Sequence, residues 1–178
     1  MPVVFLLLFV YILGGTLGDG LLGGAGLAAL AGCQKKPEGA GTNPEGAAFL
    51  AKNAKEPGVV TTASGLQYKV IRSGPATGAH PKPADEVRVH YEGTLVDGTV
   101  FDSSYRDGAP VVFTLGNLVP GWVEGIGLMR PGDEWYLYVP PKLGYGENGK
   151  GPIPPGSVLV FRIELLGVLA HSAAPGMG

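Results

Sequence analysis

The sequence predicts an α+β fold, a twisted antiparallel β-sheet wrapped around one short α-helix. Three observations carry this expectation. Period-two alternation places Val87, Val89 and Tyr91 on one strand face and Leu159, Phe161, Ile163 and Leu165 on another. Convincing helical spacing occurs once, at Val119, Trp122, Val123 and Ile126, and Pro131-Gly132 closes it. Turn formers are dense: 31 glycines and 16 prolines in 178 residues, about a quarter of the chain.

The elements follow in chain order. Residues 3–13 are a continuous apolar run, too short to span a bilayer and of the length of a signal-peptide core. Residues 14–26 hold seven glycines in thirteen positions, which opposes a packed helix. Leu30-Ala31-Gly32-Cys33 then looks like a bacterial lipobox, with Cys33 the residue to be acylated. No Lys or Arg precedes Cys33, unlike an ordinary signal peptide, so a misassigned start codon and an uncleaved anchor are the alternatives. Residues 34–46 are polar and rich in Pro and Gly and read as a flexible tether. A short helix is expected over 47–55, ended by Pro57-Gly58. Strands are expected over 66–72, 87–91, 111–115, 135–139 and 157–168, with Asp97-Gly98 a hairpin turn between two apolar runs. The helix is expected around residues 122–129. Residues 135–139 are apolar on both faces, which fits a central strand. The organisation is therefore 1–33 signal peptide with lipobox, 34–58 tether with a short helix, 59–169 folded domain, and 170–178 disordered tail.

Composition excludes several functions. A net charge of −2 gives no electrostatic case for nucleic acid or an anionic membrane surface. One cysteine allows no internal disulfide and no multi-cysteine metal site. His80, His90 and His171 lack ligand or triad spacing, and His90 points away from the Val87, Val89 and Tyr91 face. The run Gly23-Gly24-Ala25-Gly26 is followed by no Gly-Lys-Ser/Thr, so it is no phosphate loop. No metal and no cofactor is expected.

The site is written in five short motifs: Val89-His90-Tyr91-Glu92-Gly93, Gly98-Thr99-Val100-Phe101-Asp102-Ser103-Ser104, Pro120-Gly121-Trp122-Val123-Glu124-Gly125, Gly144-Tyr145-Gly146 and Ile153-Pro154-Pro155. Together they closely resemble the FKBP-type peptidyl-prolyl cis/trans isomerases, over roughly residues 62–169. The lead-in Gly58-Val59-Val60-Thr61-Thr62-Ala63-Ser64-Gly65-Leu66-Gln67-Tyr68 resembles the macrophage-infectivity-potentiator branch. That branch carries a long helical dimerisation region, for which this chain lacks the length, so a monomer is expected.

The resemblance implies a role for each residue. Trp122 is the floor of a pocket for proline, and Tyr91, Phe101, Phe113 and Phe161 are its walls. Asp102 lies at the rim and engages the Tyr91 hydroxyl. Tyr145 donates its hydroxyl to a ligand carbonyl, Ile153 donates its backbone N–H, and Leu118 and Val119 supply the loop before the helix. Taken alone, Trp122 reads as a core anchor, Asp102 as a turn aspartate and Tyr145 as a turn tyrosine. The order Arg106-Asp107 is reversed relative to many relatives, which alters the ion pair that they make to Asp102.

The implied function is acceleration of X–Pro isomerisation during folding of exported proteins, with Tyr91, Asp102 and Tyr145 as catalytic residues. A chaperone-like proline-peptide binding module with little turnover is the alternative. Expected partners are proline-containing polypeptides, macrolides of the tacrolimus and rapamycin type, and a membrane reached through a lipid on Cys33. The expected location is the periplasmic side of a bacterial envelope. Gln34 in place of Asp after Cys33 favours the outer membrane.

Overall fold

The computed structural model describes residues 42–169. Two α-helices and seven strands follow in order: α1 (Pro44–Asn53), β1 (Val59–Thr61), β2 (Gln67–Arg72), β3 (Glu86–Leu95), β4 (Val100–Ser103), β5 (Val111–Thr114), α2 (Pro120–Leu128), β6 (Glu134–Val139) and β7 (Leu159–Leu169). Short 3-10 turns occupy Leu115–Asn117 and Pro141–Leu143.

All strand pairs are antiparallel, in the order β1-β2-β6-β7-β3-β4, with β5 also on β3. The outer edge of β3 is shared. Its first half pairs with β5 and its second half with β4. The chain between β4 and β5 therefore leaves the sheet and returns to the same edge.

Alternation explains which face is buried. Val87, Val89 and Tyr91 of β3, Trp135, Leu137 and Val139 of β6, and Leu159, Phe161, Ile163 and Leu165 of β7 are all buried in one core. Each fully buried aliphatic side chain there contributes about 1.5–3 kcal/mol. Tyr136 and Tyr138 of β6 are only half-buried on the other face. Phe49 of α1 covers Tyr138, with ring centroids 5.9 Å apart.

Helix α2 packs against β6 and buries Trp122 and Ile126. Its close approach depends on two glycines one turn apart. A Cβ on Gly121 would lie 2.6 Å from Val139 Cγ1, and one on Gly125 would lie 2.5 Å from Leu137 Cδ1. The helix begins at Pro120, where a fixed φ suits the first turn. That is two residues before the expected start. Ser64 Oγ donates to Glu124 Oε2 at 2.6 Å and ties α2 to the β1–β2 turn.

Helix α1 corrects the expected boundary of the tether. It starts at Pro44, and the Asn43 side chain accepts from Gly46 N–H at 2.6 Å as N-cap. Asn43 N–H also donates to the Gly156 carbonyl at 2.9 Å, so residues 43–46 dock on the domain. At its other end Asn53 Nδ2 donates to Gln67 Oε1 at 2.8 Å. Cys33, residues 1–41 and the tail from residue 170 lie outside the described residues.

Candidate functional site

Four strands and the first turn of α2 converge on one cleft of about 280 Å³. Trp122 sets its base. Val119 is extended at the N-cap position, and Trp122 N–H donates to the Val119 carbonyl at 2.8 Å, which fixes Trp122 in the first turn of α2. Three ring edges surround it: Tyr91 at 5.1 Å and 81°, Phe161 at 5.1 Å and 88°, and Phe113 at 6.0 Å and 83°. Phe101 stands edge-on to Phe161 at 5.6 Å. Edge-to-face packing of this kind is favourable. The Trp122 Nε1–H is buried without a partner.

Register brings these rings together from distant positions. Tyr91 pairs with Ile163, and Gly93 pairs with both Phe161 and Asp102. Ser104 locks the β3–β4 corner. Its Oγ accepts Tyr91 N–H at 2.9 Å, and its own N–H donates to the Tyr91 carbonyl at 3.0 Å.

Asp102 is on the exposed rim and performs two tasks. Its Oδ2 accepts the Tyr91 hydroxyl at 2.7 Å, and its Oδ1 accepts Ser103 N–H at 3.0 Å. The carboxylate is thus both a turn aspartate and a polar wall of the cleft. Burial, then the hydrogen bond to Asp102, pushes the Tyr91 phenol well above its ordinary range. The sign follows: folding stability is intact below the ordinary phenol value near pH 10. It declines as pH rises above that value, because the unfolded chain releases this proton first. Tyr91→Phe is expected to flatten the alkaline slope of stability, measured by denaturant titration across pH 9–11.5.

The ion pairs among the described residues are Arg72–Glu134, Arg72–Glu164 and Arg162–Glu134. None reaches Asp102, and Arg106 is exposed.

The mouth is built by two loops. Leu118 and Val119 line it as expected, together with Asn117, at the end of a 3-10 turn. Tyr145 lines the opposite loop, where Gly146 adopts φ 61° and its N–H donates to the Pro141 carbonyl at 2.8 Å. Lys150 also lines the cleft. Asn117 and Lys150 were not anticipated, since neither falls in an aromatic or glycine-flanked tyrosine motif.

Ile153 is the exception among the expected residues. It is buried in the core rather than on the cleft lining. Its N–H donates to the Lys150 carbonyl at 2.9 Å, and its carbonyl accepts Lys150 N–H at 3.0 Å. The expected donor is already engaged in this two-residue bridge, so it reaches a ligand only if the bridge opens.

A family model described as FKBP-type peptidyl-prolyl cis-trans isomerase matches residues 77–166, half of the chain. The chain belongs to the FKBP-type peptidyl-prolyl cis-trans isomerase family. A second model, the domain amino terminal to FKBP-type peptidyl-prolyl isomerase, matches residues 28–70. The FKBP-type peptidyl-prolyl cis-trans isomerase FkpA of Aeromonas hydrophila is 52% identical over 124 residues, covering 70% of this chain and 46% of that protein. The outer membrane protein MIP of Legionella longbeachae is 47% identical over 125 residues, covering 70% and 53%. The crystal structure of FkpA from Escherichia coli superposes with a TM-score of 0.68 at 46% identity, covering 70% of this chain and 58% of that one. The chain spans about half the length of these curated relatives. The α+β fold expected from alternation is the fold of this family.

Proposed function

We propose that this FKBP-type chain accelerates cis/trans isomerisation of X–Pro bonds in polypeptide substrates. The observation that carries this reading is Trp122, boxed by Tyr91, Phe113 and Phe161, lining one cleft together with Asp102 and Tyr145.

The chemistry is set by the amide. Resonance holds the bond planar behind a barrier of about 18–20 kcal/mol. The planar amide has a large dipole that water stabilises, and the twisted amide has less. A dry aromatic cleft therefore favours the twisted state over the planar one, and that difference is what raises rate. The proline ring rests on Trp122 between Tyr91, Phe101, Phe113 and Phe161. The Tyr145 hydroxyl donates to the carbonyl preceding proline, and Asp102, tied to Tyr91, polarises the rim. Each factor of ten in rate needs about 1.4 kcal/mol.

A proline-limited peptide assay tests the reading. Wild type should accelerate succinyl-Ala-Leu-Pro-Phe isomerisation. Tyr145→Phe removes one hydrogen bond, worth roughly 0.5–1.5 kcal/mol, and Asp102→Leu removes the rim charge. Each should lose several-fold to about tenfold in kcat/KM with an unchanged melt. A loss of several orders of magnitude would mean acid–base chemistry at Tyr145 in place of desolvation. Binding of proline peptides without acceleration would make the chain a binding module.

The folded domain begins near residue 59 in this reading, with α1 docked against it. Macrolides of the tacrolimus and rapamycin type would compete for the same cleft. The relative named outer membrane protein MIP supports a place in the bacterial envelope. A lipid on Cys33 would hold the domain there on the periplasmic side, favouring the outer membrane. Intact mass of the native protein tests this, and an unmodified Cys33 rejects it.

A further inference from the structure

We propose that Lys150 gives the cleft a charge preference at residue X of the X–Pro bond, favouring acidic X and disfavouring basic X. This inference rests on the isomerase reading.

The placement of Lys150 is built into its loop. It stands between Gly149 at φ 66° and Gly151 at φ 54°, both in the left-handed region where glycine costs least. A side chain on Gly149 would collide with the Ile153 carbonyl. The backbone N–H and carbonyl of Lys150 are both held by Ile153. The side chain then lies along the mouth, with Nζ 5.2 Å from the Tyr145 ring centroid, a cation–π contact.

The charge balance of the mouth follows. Two charged residues line the cleft, Asp102 and Lys150. The Asp102 oxygens accept from the Tyr91 hydroxyl and Ser103 N–H. Lys150 takes part in none of the ion pairs among the described residues. Glu147, on the same loop, is exposed and is no partner in those pairs either. Asp102 keeps its charge on the Tyr91 side of the mouth, and Lys150 supplies the positive charge beside Tyr145.

Its position selects residue X. In the proposed role the Tyr145 hydroxyl donates to the carbonyl of the X–Pro amide. The Cα of X is bonded to that carbonyl carbon, so its side chain leaves the amide beside the ring on which Lys150 rests. A carboxylate there is attracted and an ammonium repelled. Exposed charges a few ångströms apart change an equilibrium by about 1.5- to 5-fold, and attraction of one peptide compounds with repulsion of the other in a ratio. Added salt screens them, with a Debye length of about 10 Å at 0.1 M and about 3 Å at 1 M.

The test uses succinyl-Ala-Xaa-Pro-Phe peptides with Xaa = Glu, Gln or Lys, followed by exchange NMR to avoid the bias of a coupling protease. The readout is the ratio of kcat/KM for Glu over Lys within each variant. Wild type at low salt should show a ratio of about three to ten, shrinking toward one in 1 M NaCl. Lys150→Gln should bring the ratio close to one at low salt, and Lys150→Glu should invert it. Acceleration of the Gln peptide with a wild-type ratio of one overturns this inference and leaves the isomerase reading standing. A wild-type ratio that survives in Lys150→Gln also overturns it, because the preference then comes from another residue. No acceleration of any peptide overturns both.

Discussion

Trp122→Ala is expected to give the largest loss of any single substitution in the cleft, in both stability and rate. The indole is buried and meets Tyr91, Phe113 and Phe161 edge-on. Truncating such a ring costs about 3–5 kcal/mol, because the surrounding rings cannot collapse into the space. A domain of this size has about 5–15 kcal/mol in total, so the melt should fall by roughly 10–20 °C. The rate should fall by more than the tenfold expected for Tyr145→Phe, since the surface that receives the proline ring is gone. Trp122→Phe separates the two roles. It keeps an apolar floor and removes an Nε1–H that is buried without a partner, whose desolvation costs about 1–3 kcal/mol. Its melt should lie well above that of Trp122→Ala. Circular dichroism melts alongside the peptide assay decide the matter. A lowered melt with an unchanged rate in Trp122→Ala would make Trp122 a core anchor and refute the floor assignment.

The core strands and helix α2 were legible for one physical reason. Burial on one face imposes a period on the sequence, and β3, β7 and α2 are long enough to show it. Val87, Val89 and Tyr91, and Leu159 to Leu165 in alternation, end in one core. Strand β1 has three residues, Val59–Thr61, and is half-buried to exposed, so no period could form. The sheet order joins β2 to β6 and β7 to β3 across long stretches of chain. Such pairing depends on non-local packing that local propensity does not encode. Asn43-Pro44 carried a readable cap signal, but the surrounding Pro and Gly read as tether. The expected site roles of Trp122 and Tyr145 came from the family resemblance of their motifs, since alone they read as a core anchor and a turn tyrosine. Lys150 and the engaged N–H of Ile153 were not legible, because both depend on backbone angles at Gly149 and Gly151 that composition leaves open.

Gly93→Ala is expected to narrow the cleft from behind, and it isolates the role of its walls. Gly93 is in β3, facing Phe161 of β7 and Asp102 of β4 in register. A Cβ there would lie 2.6 Å from Phe101 Cε2 and Cζ and 2.9 Å from Phe161 Cε1. Two aromatic rings therefore occupy the space a methyl group needs, and overpacking of this kind costs about 1–3 kcal/mol. Phe161 stands 5.1 Å from Trp122 and Phe101 stands 5.6 Å from Phe161, so displaced rings move into the space meant for proline. Affinity for a proline peptide should drop by about tenfold or more, read as a raised KM or by titration calorimetry. Gly98→Ala is the contrasting variant. Gly98 has open space around it but φ 87°, so it should cost about 1–2 kcal/mol of stability through backbone strain and leave KM alone. The pair matches a steric cost at the cleft against a conformational cost at a turn. If both variants melt lower by similar amounts and neither changes KM, then Phe101 and Phe161 are core packing only and do not grip the substrate.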